Sequence, residues 1–244
     1  MAKLSVNVNK VATLRNTRNL GIPSVTRAAQ LCIDAGAAGI TVHTRTDKRH
    51  IRPQDVFDIA ELLRSHPEVE FNIEGNPFEN FVELIEKVKP TQCTLVPDTP
   101  EAFTSDHGWD VQREGERLKP MIETLKSLGA RVSLFMDADA SMVELVSSLS
   151  VDRIELYTEP YASAFAEGRV EEVLPAYVAA AESARSQGLG VNAGHDLNLE
   201  NLPTLLEAIP FIAEVSIGHA LIADALEWGL PETVRRYLDC TRKT

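Results

Sequence analysis

Nowhere in this chain do about 18 apolar residues run together, the length at which a helix can cross a bilayer. The opening, MAKLSVNVNK, has none of the apolar core of a secretion signal. Membrane anchoring and export are therefore not expected, and a cytoplasmic location is. Cysteine is scarce. Cys32, Cys93 and Cys240 are odd in number, far apart and without Cys-x-x-Cys spacing, which gives no basis for a disulfide framework, a zinc knot or a redox pair. Excess positive charge is also missing: the formal net charge is −12, against nucleic-acid or anionic-membrane partners, which need dense cations. Linkers, heptads and low-complexity stretches are absent too, so the 244 residues read as one domain over 1–244.

What is present is unevenly placed. Residues 1–52 carry nine Lys/Arg (Lys3, Lys10, Arg15, Arg18, Arg27, Arg45, Lys48, Arg49, Arg52) against two acids (Asp34, Asp47), a local +7, while the remainder is −19. A basic segment in an acidic chain points to a local anion site.

Short β-rich runs alternate with longer amphipathic stretches, the pattern of βαβ units and a parallel sheet. The strands expected are LSVNVN from Leu4, GITVHT from Gly39, EFNIEG from Glu70, QCTLVPD from Gln92, RVSLFMD from Arg131, RIELYTE from Arg153, GVNAGH from Gly190 and EVSIGH from Glu214. Eight units favour a closed single-domain (β/α)8 TIM barrel over an open doubly wound sheet. In PQDVFDIAELLRSH, Val56, Ile59, Ala60, Leu62 and Leu63 form one apolar stripe, and Pro53 suits a first helical turn. Gly36, Gly129 and Gly188 stand where left-handed C-terminal caps are expected. The stretch from Thr99 to about Asp110 is expected to be a lid or substrate loop, and Val170 to Gln187 to carry an extra helix for oligomerisation.

Barrel enzymes place their sites at the C-terminal ends of the strands. Here those ends carry Asn7 and Asn9, His43, Glu74, Asp98, Asp137, Glu155, His195 and His219. One such residue alone is more often a cap or turn residue than a functional one. A barrel gathers all of them at one mouth, where three histidines and two glutamates make an acid/base set tunable near neutral pH. The loops NKVATLRNTRN and HTRTDKRHIR add Lys10, Arg15, Arg18, Arg45, Lys48, Arg49, His50 and Arg52. Charged loops are commonly just solvated, but these follow strand C-termini, where guanidinium forks match phosphate oxygens. NAGHD and SIGHA set glycine beside histidine at the opening of the next helix, where free backbone N–H groups can meet an anion. Two phosphate subsites suit a pair of phosphate esters. Outside this set, His66, His107, Cys32, Cys93, Met121, Met136, Met142 and Trp228 are expected to be surface or packing residues, and Trp109 to gate the lid loop.

The stretches NVNKVATLRNTR, GITVHTRTDKRHI, NIEGN, VSLFMDAD, RIELYTEPYA, VNAGH and SIGHALI resemble, in order, the signatures of the pyridoxine 5′-phosphate synthase family of vitamin B6 biosynthesis. The resemblance implies condensation of 1-deoxy-D-xylulose 5-phosphate with 3-amino-2-oxopropyl phosphate to pyridoxine 5′-phosphate, phosphate and water, without metal or organic cofactor, in a homo-octamer. It further implies His43 and Glu74 as proton acceptors, His195 as proton donor and Glu155 as stabiliser of a cationic transition state. Arg45, His50 and Thr104 would hold the deoxyxylulose phosphate; Asn7, Arg18, Gly218 and His219 would hold the amino-oxo phosphate. Asn9-Lys10 replaces the family's commoner Asp-His, with Lys10 a compact donor to a hydroxyl or phosphate. Asp196 replaces a common glycine, keeping a backbone N–H but setting an acid against a nearby phosphate. Alternatives from other classes are a metal-dependent barrel hydrolase, for which Asn7-x-Asn9 is a poor substitute for a His pair, and a non-catalytic binder of phosphorylated metabolites.

Overall fold

Runs of alternating polar and apolar residues build a sheet that closes on itself. The computed structural model describes residues 1–78, 80–99 and 104–242. In chain order its elements are β1 (Lys3–Asn7), α1 (Asn9–Asn16), α2 (Val25–Asp34), β2 (Gly39–His43), α3 (Pro53–Leu63), β3 (Glu70–Gly75), α4 (Phe81–Val88), β4 (Gln92–Leu95) and α5 (Val111–Ser127). There follow β5 (Arg131–Met136), α6 (Ala140–Leu145), a 3-10 turn (Val146–Leu149), β6 (Arg153–Tyr157), α7 (Glu159–Ala166) and α8 (Val170–Ser186). The chain closes with β7 (Gly190–Gly194), α9 (Leu202–Ala208), β8 (Glu214–Ile217), α10 (His219–Trp228) and α11 (Leu230–Arg242). Each strand pairs in parallel with the next, and β8 returns to β1 with Ser216 opposite Ser5, so the expected eight-stranded barrel is closed.

The alternation in the strands runs against the usual barrel pattern, in which branched apolar side chains fill the interior. Val6, Ile40, Val42, Ile73, Cys93, Leu95, Val132, Leu134, Ile154, Leu156, Val191 and Val215 are buried in the main apolar core with the helix residues. The residues between them are polar and also buried: Ser5, Thr41, Asn72, Thr94, Ser133, Glu155, Asn192 and Ser216. A period of two sends these to the opposite face, the barrel interior. There Ser5 and Thr41 hydroxyls meet at 2.6 Å, Asn72 Nδ2 donates to Thr41 (3.4 Å), and Thr94 donates to Asn72 Oδ1 (3.1 Å) and lies 3.4 Å from Glu155 Oε2. Buried polar atoms need partners of this kind. The hydrophobic driving force therefore lies between sheet and helices, where each fully buried Leu or Ile contributes about 1.5–3 kcal/mol.

The helix–glycine–strand joints form as expected, with Gly36, Gly129 and Gly188 at φ 102°, 90° and 76°. Pro53 occupies the first turn of α3, where the Asp55 carboxylate accepts the Arg52 N–H at 2.7 Å. Val56, Ile59 and Leu63 of its apolar stripe are buried; Ala60 and Leu62 lie half-buried beside them. Among the described residues two helices, not one, follow β1 (α1 with α2), β6 (α7 with α8) and β8 (α10 with α11). The region from Val170 is thus one regular barrel helix, α8, and the additional helix of that crossover is α7, which precedes it. Trp228 ends α10 rather than the last helix and packs under the Arg236 guanidinium, 3.9 Å from the ring centroid.

Candidate active site

The strand ends converge as the closed barrel requires. His43, last residue of β2, and Glu74 in β3 are register partners. Their Nδ1 and Oε2 atoms are 3.8 Å apart, and His43 Nε2 lies 3.6 Å from Asp98 Oδ2 beyond β4. Asn7, at the end of β1, donates to Glu74 Oε2 (3.4 Å) and accepts the Asn9 N–H on Oδ1 (3.0 Å). Asn9 Oδ1 accepts the His43 N–H (2.9 Å), so this amide ties the first strand's exit to the second's.

Burial sets the protonation states here. Desolvation, helped by Arg45 and His195, lowers His43 from 6.5 to about 3. Desolvation, with Asp98 and Glu214 nearby, raises Glu74 from 4.5 to about 8. The distance would permit an ion pair, but near neutral pH His43 is a neutral base and Glu74 chiefly a neutral acid. Glu155 is also raised well above its usual range, by burial and then by Glu74 and Glu214. It sits in mid-strand, opposite Asn192 and Phe135, and is not the strand end expected. It forms the floor of the mouth, and Gly194 makes room for it: a Cβ there would come within 2.4 Å of Glu155 Oε1.

On the opposite rim His195 follows β7, with Nε2 3.1 Å from Thr104 Oγ1 and Nδ1 3.1 Å from Asp196 Oδ2. Its ring stands edge-on to Tyr157 at 5.1 Å. His195 and Asp196 have φ of 83° and 59°, a conformation uncommon outside glycine and frequent at functional sites. The expectation that NAGHD opens a helix is corrected: β7 is followed by a turn held by Asn201, and α9 begins at Leu202. The same expectation holds for SIGHA, where Gly218 is the N-cap of α10 and His219 its first residue. Glycine keeps the fit close at 218, where a Cβ would stand 3.1 Å from Asn7 Cβ.

The cationic loops divide. Arg15, expected to face an anion, is buried and makes a two-pronged pair with Asp55 of α3. It also donates to the His50 carbonyl (3.3 Å), so it braces the second loop instead of meeting a ligand. Arg52 caps α3. Arg45 Nη1 donates to Asp98 (2.6 Å) and its Nη2 to the Thr99 carbonyl (3.1 Å). His50, 5.9 Å from His43 between ring centroids, is lowered to about 3 by desolvation and then by His43. Its Nδ1 accepts the Ile51 N–H (2.9 Å), so a neutral ring carries its proton on Nε2. Lys10 in the first turn of α1 and Arg18 beyond that helix are exposed.

Of the expected lid, residues 100–103 lie outside the described residues. Trp109, expected to gate it, is instead 4% exposed and donates to the Leu95 carbonyl (2.9 Å), anchoring the segment to β4. Ser105 ties back to Asp98 (2.9 Å). Asp98 thus links His43, Arg45 and Ser105, a role its place in the sequence did not reveal; the only sign was a buried-strand run ending in Pro97-Asp98. The inward polar ladder was also missed, although every strand carried it as strict alternation. Among the described residues no group of three or more His, Cys, Asp or Glu is disposed to hold a metal ion.

A family model described as pyridoxal phosphate biosynthesis protein PdxJ matches residues 4–243. A pyridoxine 5′-phosphate synthase of Albidiferax ferrireducens is 55% identical over 98% of this chain and 96% of its own length. Another, from Porphyromonas gingivalis, is 52% identical over 98% of each. Among solved structures, thiamine phosphate pyrophosphorylase from Pyrococcus furiosus superposes with a TM-score of 0.62 at 12% identity, over 99% of this chain and 96% of that one. Phosphoribosyl anthranilate isomerase from Thermotoga maritima gives 0.58 at 14%, over the whole of both. At such identities these two share the fold.

Proposed function

This chain belongs to the PdxJ family of pyridoxal phosphate biosynthesis proteins, and we propose that the mouth of its barrel is where it makes pyridoxine 5′-phosphate. Its substrates are small phosphorylated molecules, here read as 1-deoxy-D-xylulose 5-phosphate and 3-amino-2-oxopropyl phosphate. The observation that carries the site assignment is the pairing of a neutral base and a neutral acid, His43 and Glu74, 3.8 Å apart under a rim of cations.

The condensation adds an amine to a ketone, loses water, removes a carbon-bound proton, expels phosphate and closes a ring. Each step moves a proton, so groups held in unlike protonation states are what it requires. His43 accepts first, because its Nε2 or Nδ1 is unprotonated. Glu74 starts as a donor and becomes an acceptor once it has delivered its proton, or once a cationic imine lowers its affinity for one. Glu155, beneath them, releases its proton as positive charge develops above and then stabilises that charge. His195, on the far rim, protonates a departing oxygen. Arg45, the Nε2–H of His50 and Thr104 hold the deoxyxylulose phosphate, with the free N–H₂ of Asn9 and the ammonium of Lys10 beside it. Asn7, Arg18, His219 and the N–H groups that Gly218 opens at the start of α10 hold the second phosphate. Asp196 adds its backbone N–H. Fixing both phosphates makes the meeting of amine and ketone nearly intramolecular.

The same reading makes the protein a homo-oligomer, an octamer in the cytoplasm. Leu14, Leu20, Ile22 and Leu226, exposed on or beside the packed pair α1 and α10, support assembly through the extra helices. Light scattering behind size exclusion tests it, with a monomer the contrary result. Among the described residues no helix is long and apolar enough to cross a membrane. The function is tested by supplying both phosphate esters to the purified chain and following pyridoxine 5′-phosphate and released phosphate together. Binding of both without product overturns it.

A further inference from the structure

We infer that Asp196 is a positioning residue for His195, its carboxylate fixing the imidazole so that Nε2 alone exchanges protons with substrate. The inference rests on the reading of His195 as the proton donor and adds to it a partner, a tautomer and an atom.

An ionised carboxylate offers only acceptors. With Asp196 Oδ2 3.1 Å from Nδ1, that nitrogen must carry a hydrogen in both the neutral and the protonated ring. Nε2 is then the atom whose protonation changes, and it points the other way, to Thr104 Oγ1 at 3.1 Å. Asp196 is the group that stays ionised: the hydrogen bond from His195 outweighs burial and holds its carboxyl below the usual range. In the transfer, the Nε2–H bond breaks and an O–H bond forms at the departing oxygen. The ring is left neutral with Nδ1–H still on the carboxylate.

The backbone is built to hold this pair. Neighbouring side chains seldom converge in extended chain, where they alternate between faces; two successive left-handed residues, at φ 83° and 59°, turn both to one side. The turn is locked from behind. Thr158 Oγ1 lies 2.7 and 2.5 Å from the Gly194 and His195 carbonyls, and Asn201 Nδ2 donates to the Asp196 carbonyl at 3.2 Å. Tyr157 closes the edge of the ring. The charged and titratable groups facing the pair are His43 of β2 and Tyr157 of β6 toward His195, and His219 of α10, Lys10 of α1 and Tyr157 toward Asp196. Among the described residues Asp196 is thus the acid that meets the imidazole, against cations elsewhere on the rim. Its side chain is 42% exposed, so solvent screens it and the effect is moderate.

Two substitutions separate charge from shape. Asp196→Asn keeps an acceptor and tolerates positive φ, while Asp196→Gly removes the side chain at no backbone cost. The experiment is the pH profile of kcat and kcat/KM for both variants, for His195→Gln and for the double variant Asp196→Asn/His195→Gln. Expected is a fall in kcat of about threefold to tenfold at alkaline pH for Asp196→Asn, with the alkaline limb moved to lower pH. Asp196→Gly should lose at least as much, and Asp196→Asn should add nothing in the His195→Gln background. An alkaline limb that stays in place in both Asp196 variants, while His195→Gln is impaired, overturns the positioning role. A lower KM for a phosphate substrate with that unmoved limb would mark Asp196 as merely an acid opposing an anion. Near-normal turnover in His195→Gln overturns the donor reading itself.

Discussion

The two ends of the barrel treat charge in opposite ways. At the N-terminal end, Glu70 receives Lys3 on one oxygen and Arg131 on the other. Arg131 continues to Gln92 (2.8 Å), Gln92 to Glu214 (3.2 Å), and Arg153 reaches Asn192 (3.0 Å) and Glu214 (4.0 Å). Burial would raise the Glu70 carboxyl, but hydrogen bonds from Lys3 and Arg131 outweigh it and keep it low. At the mouth, His43, Glu74 and Glu155 are more deeply buried than Glu70, meet one another instead of a neutralising partner, and are each pushed toward the neutral form; Glu214, the deeply buried acid of the lower network, is likewise raised by burial in spite of Arg153. Paired charge holds a sheet together, whereas displaced proton affinity is a chemical resource held at a cost in stability. In a barrel the two can be kept apart by strand polarity alone.

Substitutions at the two ends should therefore fail differently. Glu74→Gln, which cannot exchange a proton, is expected to lower kcat by about 10²- to 10⁴-fold while leaving binding of inorganic phosphate or a phosphate ester nearly intact. Calorimetric titration beside steady-state kinetics checks it, and normal turnover would take Glu74 out of the acid/base set. Arg131→Met, at the other end, should cost about 1–2 kcal/mol in urea unfolding, less than a fully buried pair because its side chain is 24% exposed. Its kcat should stay within about twofold of the parent; a large kinetic loss would erase the distinction between the ends. Arg18→Ala should raise the KM for the amine substrate about tenfold with little change in kcat. No change in that KM would place the phosphate elsewhere.

The same protonation states also act on stability against pH. Glu74, raised to about 8 in the fold from 4.5, holds a proton between pH 6.5 and 8 that the unfolded chain has released, so stability falls as pH rises through that window. Glu74→Gln should flatten the fall, as read from urea midpoints at both limits. His43 and His50, lowered from 6.5 to about 3, act in the other direction: stability falls as pH drops below 6.5, because only the unfolded chain gains those protons. A midpoint that rises from pH 6.5 to 8 would contradict the protonation states on which the mouth's chemistry rests.

Much of this was legible in the residues in order. The eight strands were fixed by alternation and glycine punctuation, which are local, and seven of them begin at the residue the pattern indicated. That the strand ends bearing His43, Glu74 and His195 share one mouth was legible because closing a parallel barrel must bring those ends together. The failures have one cause. Arg15 and Arg45 look alike as cations after strands, yet one is spent on Asp55 and the other meets Asp98 at the mouth. Trp109 resembles a gate but fills a core, and Glu155 passes for a rim residue while lying beneath it.

Periodicity and turn chemistry operate over a few residues, so the order and type of the elements, and hence the closed sheet, followed from the chain itself. Which buried group has a partner depends on residues far along the chain, 40 positions away for Arg15 and Asp55 and 122 for Gln92 and Glu214. Desolvation depends on everything packed around a side chain. The neutral His43, the protonated Glu74 and the turn that joins His195 to Asp196 therefore came into being only with the folded molecule.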